Sequence, residues 1–221
     1  MNSLKLAIVA FAAVVFSVQA NAVPLVLGDD SSQQVTLGFT FNFFGASYTQ
    51  IYVNSNGNIT FGVGDGDFTE SVSEFLDTPP RIGGIWDDLN PAAGGTVDAT
   101  GDASQMVVTW SGVPEFPAIG SNNFSITLRS NGSITIDFDS MTLSDGIVGI
   151  SDGLTGPDPG ETDFSATGGN YANNVVRYEQ FTGDFDLADS TLNFNPVPEP
   201  ASLALLGLGL VGVGLRRGPR R

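Results

Sequence analysis

From Val35 onward, apolar and polar residues alternate: Val35, Leu37, Phe39, Phe41 and Phe43 are separated by Thr36, Gly38, Thr40 and Asn42. Neighbouring side chains of a strand point to opposite faces, so this stretch predicts a strand buried on one side. The same period returns in YTQIYVNSNGNITFG (Tyr48–Gly62), where Ile51 and Val53 share a face and Ile59 and Phe61 come back after an Asn54–Asn58 turn. That is the pattern of a β-hairpin with a longer glycine-containing loop. Residues 63–81 are polar and acidic and carry Pro79-Pro80, which predicts a surface loop. Ile82–Trp86 is a short apolar stretch running into the turn cluster Asp87-Asp88-Leu89-Asn90-Pro91. Strands are predicted at 96–100 and 105–110, the second with Met106, Val108 and Trp110 on one face.

The firmest local pattern is the pair Phe124, Ile126, Leu128 and Ile134, Ile136, Phe138 around Ser130-Asn131-Gly132-Ser133. Asn-Gly is the preferred centre of a two-residue type I′ hairpin turn, in which both residues take positive φ. Further strands are predicted at 146–151 and 175–178, separated by a Gly/Pro/Asp loop over 152–169. Between residues 23 and 196 no apolar period of 3.6 is sustained, and the 28 glycines of the chain disfavour long helices. The expected fold is mainly β: a single antiparallel β-sandwich or barrel-like domain over 23–196.

The two ends break this pattern. Residues 1–22 carry Lys5, an apolar run from Leu6 to Phe16, and Ala20-Asn21-Ala22. A positive start, a short apolar core and a small-x-small site (Ala20, Ala22) predict a helical signal peptide cut by signal peptidase after passage through the general secretion machinery. Residues 201–215 form a second apolar run, predicted as a short transmembrane helix of about 22 Å at 1.5 Å per residue. The arginines after it favour the cytoplasmic side, which leaves the β domain outside. Proline ahead of the run stops the helix and keeps Val197–Pro200 extended.

Charge sharpens the picture. All 24 acidic residues lie between Asp29 and Glu199, where only Arg81, Arg129 and Arg177 oppose them. Such a field repels polyanions and excludes nucleic acid as a partner. The chain has no cysteine and no histidine, and its one lysine is Lys5. Ser-His, Cys-His and His-metal chemistry are therefore excluded, as are a Schiff-base lysine and a P-loop. Carboxylate chemistry and hard-cation binding remain.

Two resemblances add to this reading. IYVNSNGNITFG (51–62), IGGIWDDLNP (82–91), VVTWSGVP (107–114), FSITLRSNGSITIDF (124–138) and GIVGIS (146–151) occur in the order and spacing of the nidogen-like extracellular domain family, best over 48–151. That resemblance implies an extracellular adhesion or matrix module and specifies no ligand. Residues 197–221 resemble a PEP-CTERM sorting signal: Val197-Pro198-Glu199-Pro200, the apolar run, then Arg216, Arg217, Arg220 and Arg221. This implies transient inner-membrane anchoring, processing by an exosortase-type membrane protease, and delivery to the cell surface or matrix of a Gram-negative bacterium. The bland alternative is an ordinary tail anchor.

Several acidic residues are candidates for binding or catalysis. Asp87 and Asp88, with Asn90 nearby, are candidate calcium ligands, although aspartate is also a preferred turn residue. Asp65-Gly66-Asp67 with Glu70 has the flavour of a calcium loop but lacks EF-hand spacing. Asp137 and Asp139 could flank a sugar, or simply form a solvated strand face, as could Asp184, Asp186 and Asp189. Trp86 and Trp110 fit a core better than a sugar platform.

The leading expectation is thus an exported, non-enzymatic surface or matrix protein without a resident cofactor, used for adhesion or association with exopolysaccharide or other surface proteins in a biofilm. A carboxylate-only glycan hydrolase and a calcium-dependent binding module are the alternatives.

Overall fold

A computed structural model describes residues 22–197, apart from 144 and 155. In chain order the elements are β1 (Ala22–Leu25), β2 (Ser32–Phe43), β3 (Ala46–Asn54), β4 (Asn58–Thr60), α1 (Val72–Phe75), β5 (Arg81–Trp86), β6 (Thr96–Gly101) and β7 (Gln105–Glu115), then β8 (Ile119–Arg129), β9 (Ile134–Phe138), β10 (Asp145–Ser151), β11 (Asn170–Ala172), β12 (Arg177–Thr182) and β13 (Thr191–Asn195). They form two sheets, ordered β1-β6-β7-β8-β9-β13-β11 and β12-β10-β5-β4-β3-β2. Strand pairs are antiparallel except β11 with β13. Both sheets keep open edges, so the sandwich is the observed architecture and the barrel-like alternative is set aside.

The alternation in β2 places Leu37, Phe41 and Phe43 inside, with Thr36, Gly38, Thr40 and Asn42 exposed. Ile51, Val53 and Ile59 of the same sheet join Val108, Trp110, Ile126, Leu128 and Ile136 of the other in one core. Trp110 and Phe124 stack there at 4.8 Å between centroids. Each large apolar side chain taken out of water in this way contributes about 1.5–3 kcal/mol.

β5 is buried along its whole length, because a second apolar cluster covers its outer face: Phe75, Trp86, Ile147 and Tyr178. This corrects the surface-loop expectation for 63–81. Within that segment Ser71 caps α1, accepting from the Glu74 amide in the S-x-x-E pattern, and Phe75 at the helix end is fully buried. A strand covered on both sides needs no alternation, which is why Ile82–Trp86 reads as an unbroken run.

The Asn131-Gly132 hairpin forms where expected, but with a different turn. Only Gly132 has positive φ (88°), Gly132 N donates to Arg129 O, and Arg129 N donates to Ser133 O. This is a three-residue loop closed by a left-handed glycine, not type I′. β13 is an additional strand beyond those expected, although buried Leu192 and Phe194 do alternate with Thr191 and Asn193. The strand expected at 175–178 is displaced to β12.

Turn 54–58 is not on the surface. Asn54, Ser55, Asn56, Asn58 and Thr60 are fully buried. Gly57 (φ 74°) lies so close to β5 that a Cβ would meet Ile85 O at 1.9 Å. Arg81, 3% exposed, bonds Asp65 at 2.7 Å from inside the domain.

Among the described residues no helix is long and apolar enough to cross a membrane. The predicted signal helix up to residue 21 and the predicted helix 201–215 lie outside the described residues, and Ala22 begins β1, paired with Thr100.

Two substitutions test this packing by urea unfolding. Gly57→Ala should cost more than about 3 kcal/mol, whereas Gly45→Ala, also at positive φ but with open space around it, should cost only about 1–2. Arg81→Ala should cost about 3–5 kcal/mol by stranding the largely buried Asp65 carboxylate.

Candidate functional site

The end of β5 gathers carboxylates because three separate constraints meet there. The indole N–H of Trp86 donates to Asp67 O at 3.0 Å, and the Asn56 amide donates to the same carbonyl at 3.0 Å. Arg81 lies 4.4 Å from the Trp86 ring centroid while it holds Asp65. These contacts fasten the 63–70 loop to β5 and bring Glu70 with it. On the other side, Gly146 (φ 124°) lets β10 approach β5: a Cβ there would meet Ile85 Cδ1 at 2.7 Å and Trp86 O at 2.9 Å. Asp145 precedes it.

As a result, one carboxylate oxygen from each of Glu70, Asp87 and Asp145 lies within 4.8 Å of the other two. Asp87 is the innermost, only 5% exposed. Its Oδ1 accepts from the Asp88 amide at 2.7 Å, while its buried Oδ2 has no hydrogen-bond partner. Burial pushes the Asp87 carboxyl up to about 8, against the partial help of the Asp88 amide and with added repulsion from Glu115, Glu70 and Asp145. Glu70 and Glu115 are raised by burial first and by Asp145 and Asp88 next. Among the described residues no arginine pairs with this group: Arg81 is committed to Asp65, Arg129 donates to Thr135, and Arg177 lies over Tyr171.

Asp87 and Asp88, expected together as candidate calcium ligands, fall in two different carboxylate groups. Successive residues at a strand end diverge, and Asp88 joins Asp29 and Asp30 in a separate, more open cluster. Asn90 turns its side chain to the Ala93 amide instead. Asp65 and Asp67 serve the loop, the first through Arg81 and the second by capping Thr69. Asp137 and Asp139 sit on the exposed face of β9 and just past it, as a solvated strand predicts, with Thr191 donating to Asp137. Asp184, Asp186 and Asp189 are exposed, and both tryptophans are fully buried. Asp145 had no local signature; only the β5–β10 pairing brings it to Asp87.

Of the sorting residues, Val197 is exposed beyond β13, while Pro198, Glu199, Pro200, Arg216 and Arg217 lie outside the described residues, as does Ala20.

The NIDO-related family model matches residues 6–196, nearly the whole chain ahead of the tail. The chain belongs to the NIDO-related family. This NIDO-related domain is followed directly by a PEP-CTERM protein-sorting motif, matched over 196–221. The chain is also similar to alpha-tectorin of Mus musculus, 27% identical over 176 residues. That match covers 66% of this chain but 8% of alpha-tectorin, so it concerns one segment of a much longer protein. No solved structure matches. The family match is wider than the 48–151 stretch on which the sequence resemblance was strongest.

The Asp87 environment predicts a pH dependence. Below about pH 4 this carboxyl is neutral in both the folded and unfolded chain; from its ordinary 3.8 to about 8 only the unfolded chain ionises it freely. Its contribution to stability is therefore intact at low pH and lost as pH rises through that window. In chelator-treated buffer, the melting midpoint of wild type should fall relative to that of Asp87→Asn as pH is raised from 4 to 8.

Proposed function

We propose that this protein is a structural module of the bacterial cell surface or extracellular matrix, associated with exopolysaccharide or with other surface proteins, and matured by an exosortase-type protease. The observation that carries the reading is the joining, at residue 196, of a NIDO-related β-sandwich to a PEP-CTERM motif in one chain. The two parts imply an exported extracellular protein with a membrane-anchoring tail.

The physical properties agree with that path. Residues 196 and 197 are exposed after β13, so the sandwich and the tail meet at a solvent-accessible joint. In this reading Ala20 and Ala22 mark the signal cleavage, 23–196 is the delivered domain, Val197–Pro200 is the extended segment offered to the protease, and Arg216 and Arg217 hold the 201–215 helix with its basic end in the cytoplasm. The strongly acidic surface keeps the delivered domain soluble and away from anionic lipid headgroups.

Fractionation of cells that contain an exosortase tests the sorting path. Wild type should leave the membrane as a shortened product, and Glu199→Ala together with Pro200→Ala should accumulate uncut in the inner membrane. An uncut cytoplasmic product would oppose the reading. Retention of the released protein on the organism's own polysaccharide tests the matrix role.

A further inference from the structure

We propose that Glu70, Asp87 and Asp145 form a binding site for a hard divalent cation, calcium above all. The proposal stands apart from the sorting reading, because it rests on the geometry of the β-sandwich alone.

Three carboxylates from three separate segments converge within 4.8 Å at the junction of β5, β10 and the 63–70 loop. Like charges at that separation repel and gain nothing from being assembled unless something positive joins them. The arginines of the described domain are engaged elsewhere, so the described residues supply no such charge.

The second observation is the state of Asp87. It is only 5% exposed, its Oδ1 is satisfied by the Asp88 amide, and its Oδ2 is buried without any donor. A buried carboxylate oxygen without a partner costs several kcal/mol as an anion. Protonation relieves that cost only by giving up the charge; a cation bound by Oδ2 relieves it while the carboxylate stays ionised and also offsets the repulsion from Glu70 and Asp145.

The ligand set selects the ion. It is all oxygen, in a chain without histidine or cysteine, which suits calcium or magnesium and not zinc or copper. Calcium tolerates irregular, mixed coordination, and the graded exposure of the three ligands (Asp87 buried, Glu70 intermediate, Asp145 exposed) leaves one side open for waters. An open, three-carboxylate site belongs with extracellular modules that bind calcium at about 10⁻⁴–10⁻³ M. The Asp29, Asp30 and Asp88 cluster lacks an equally buried side chain and is not included.

The experiment uses the full 221-residue chain in a neutral detergent, with calcium, magnesium or chelator. Calcium at about tenfold above its dissociation constant should raise the melting midpoint by about 3–6 °C. Terbium should give luminescence on tryptophan excitation, since Trp86 immediately precedes Asp87, and calcium should displace it with at least tenfold preference over magnesium. Asp145→Asn, at an exposed position, should melt like wild type in chelator yet lose the calcium shift. Asp87→Asn should melt no lower than wild type in chelator and also lose the shift. Asp30→Asn should keep it. A wild-type midpoint and terbium signal that ignore calcium, or an Asp145→Asn protein that retains the full shift, would overturn the proposal.

Discussion

The fold is organised around a polar turn that water never reaches. Residues 54–58, between β3 and β4, bury three asparagines and a serine at zero exposure, and every donor and acceptor there must find its partner inside the protein. Asn54 bonds Asn58 and Thr60 and receives the Asp65 amide. Ser55 exchanges bonds with Ser31. Asn56 reaches Asp30 and Asp67 O, and Gly57 O receives the amides of Gly84 and Ile85. One turn thereby fixes the β1–β2 connection, the 63–67 loop and the central strand β5 relative to one another. Partly satisfied, such a network would be worse than an apolar filling; satisfied, it specifies one arrangement.

What lies beyond the turn inherits its position from it. The 63–67 loop, held by Asn54 and Asn56 below and by Arg81 and Trp86 beside it, covers the outer end of β5. That cover lies over Trp86, whose indole N–H donates to Asp67 O. The unusual carboxyl of Asp87 is a consequence of its burial at the end of β5, where its amide donates to Asn56 O of the polar turn, and not a property of the Asp-Asp dipeptide. The chain keeps its acidity outside almost everywhere else, at exposed strand and loop positions where water screens it. Among the described residues Asp87 is the buried carboxylate, and no arginine meets it.

The same organisation fits a module meant to work outside the cell. With no cysteine to staple it, the domain relies on two apolar clusters and one polar network, and the acidic exterior keeps it dispersed. A NIDO-related sandwich joined to a sorting tail separates two parts of the chain: the tail carries the address, and the sandwich is the exported domain. A cation-dependent corner would give that sandwich sensitivity to the ionic composition of its surroundings.

By itself the sequence determined what is local. The alternation in Val35–Phe43 and in Phe124–Phe138 specifies strands and their inward faces, because side-chain direction along a strand has a period of two. The missing histidine and cysteine delimit the chemistry, and the tail residues carry their own address. Tertiary structure decided what depends on approach between distant segments. A turn rich in asparagine looks exposed until another loop is seen to cover it, and Ser71-Val72-Ser73-Glu74 is a helix start only once Phe75 has a core to enter. Asp87 separates from its neighbour Asp88 and joins Glu70 and Asp145, 17 and 58 positions away, because strand pairing and glycine-permitted contact bring them together. Spacing along a chain cannot encode such a meeting; only the folded register of β5 against β10 can.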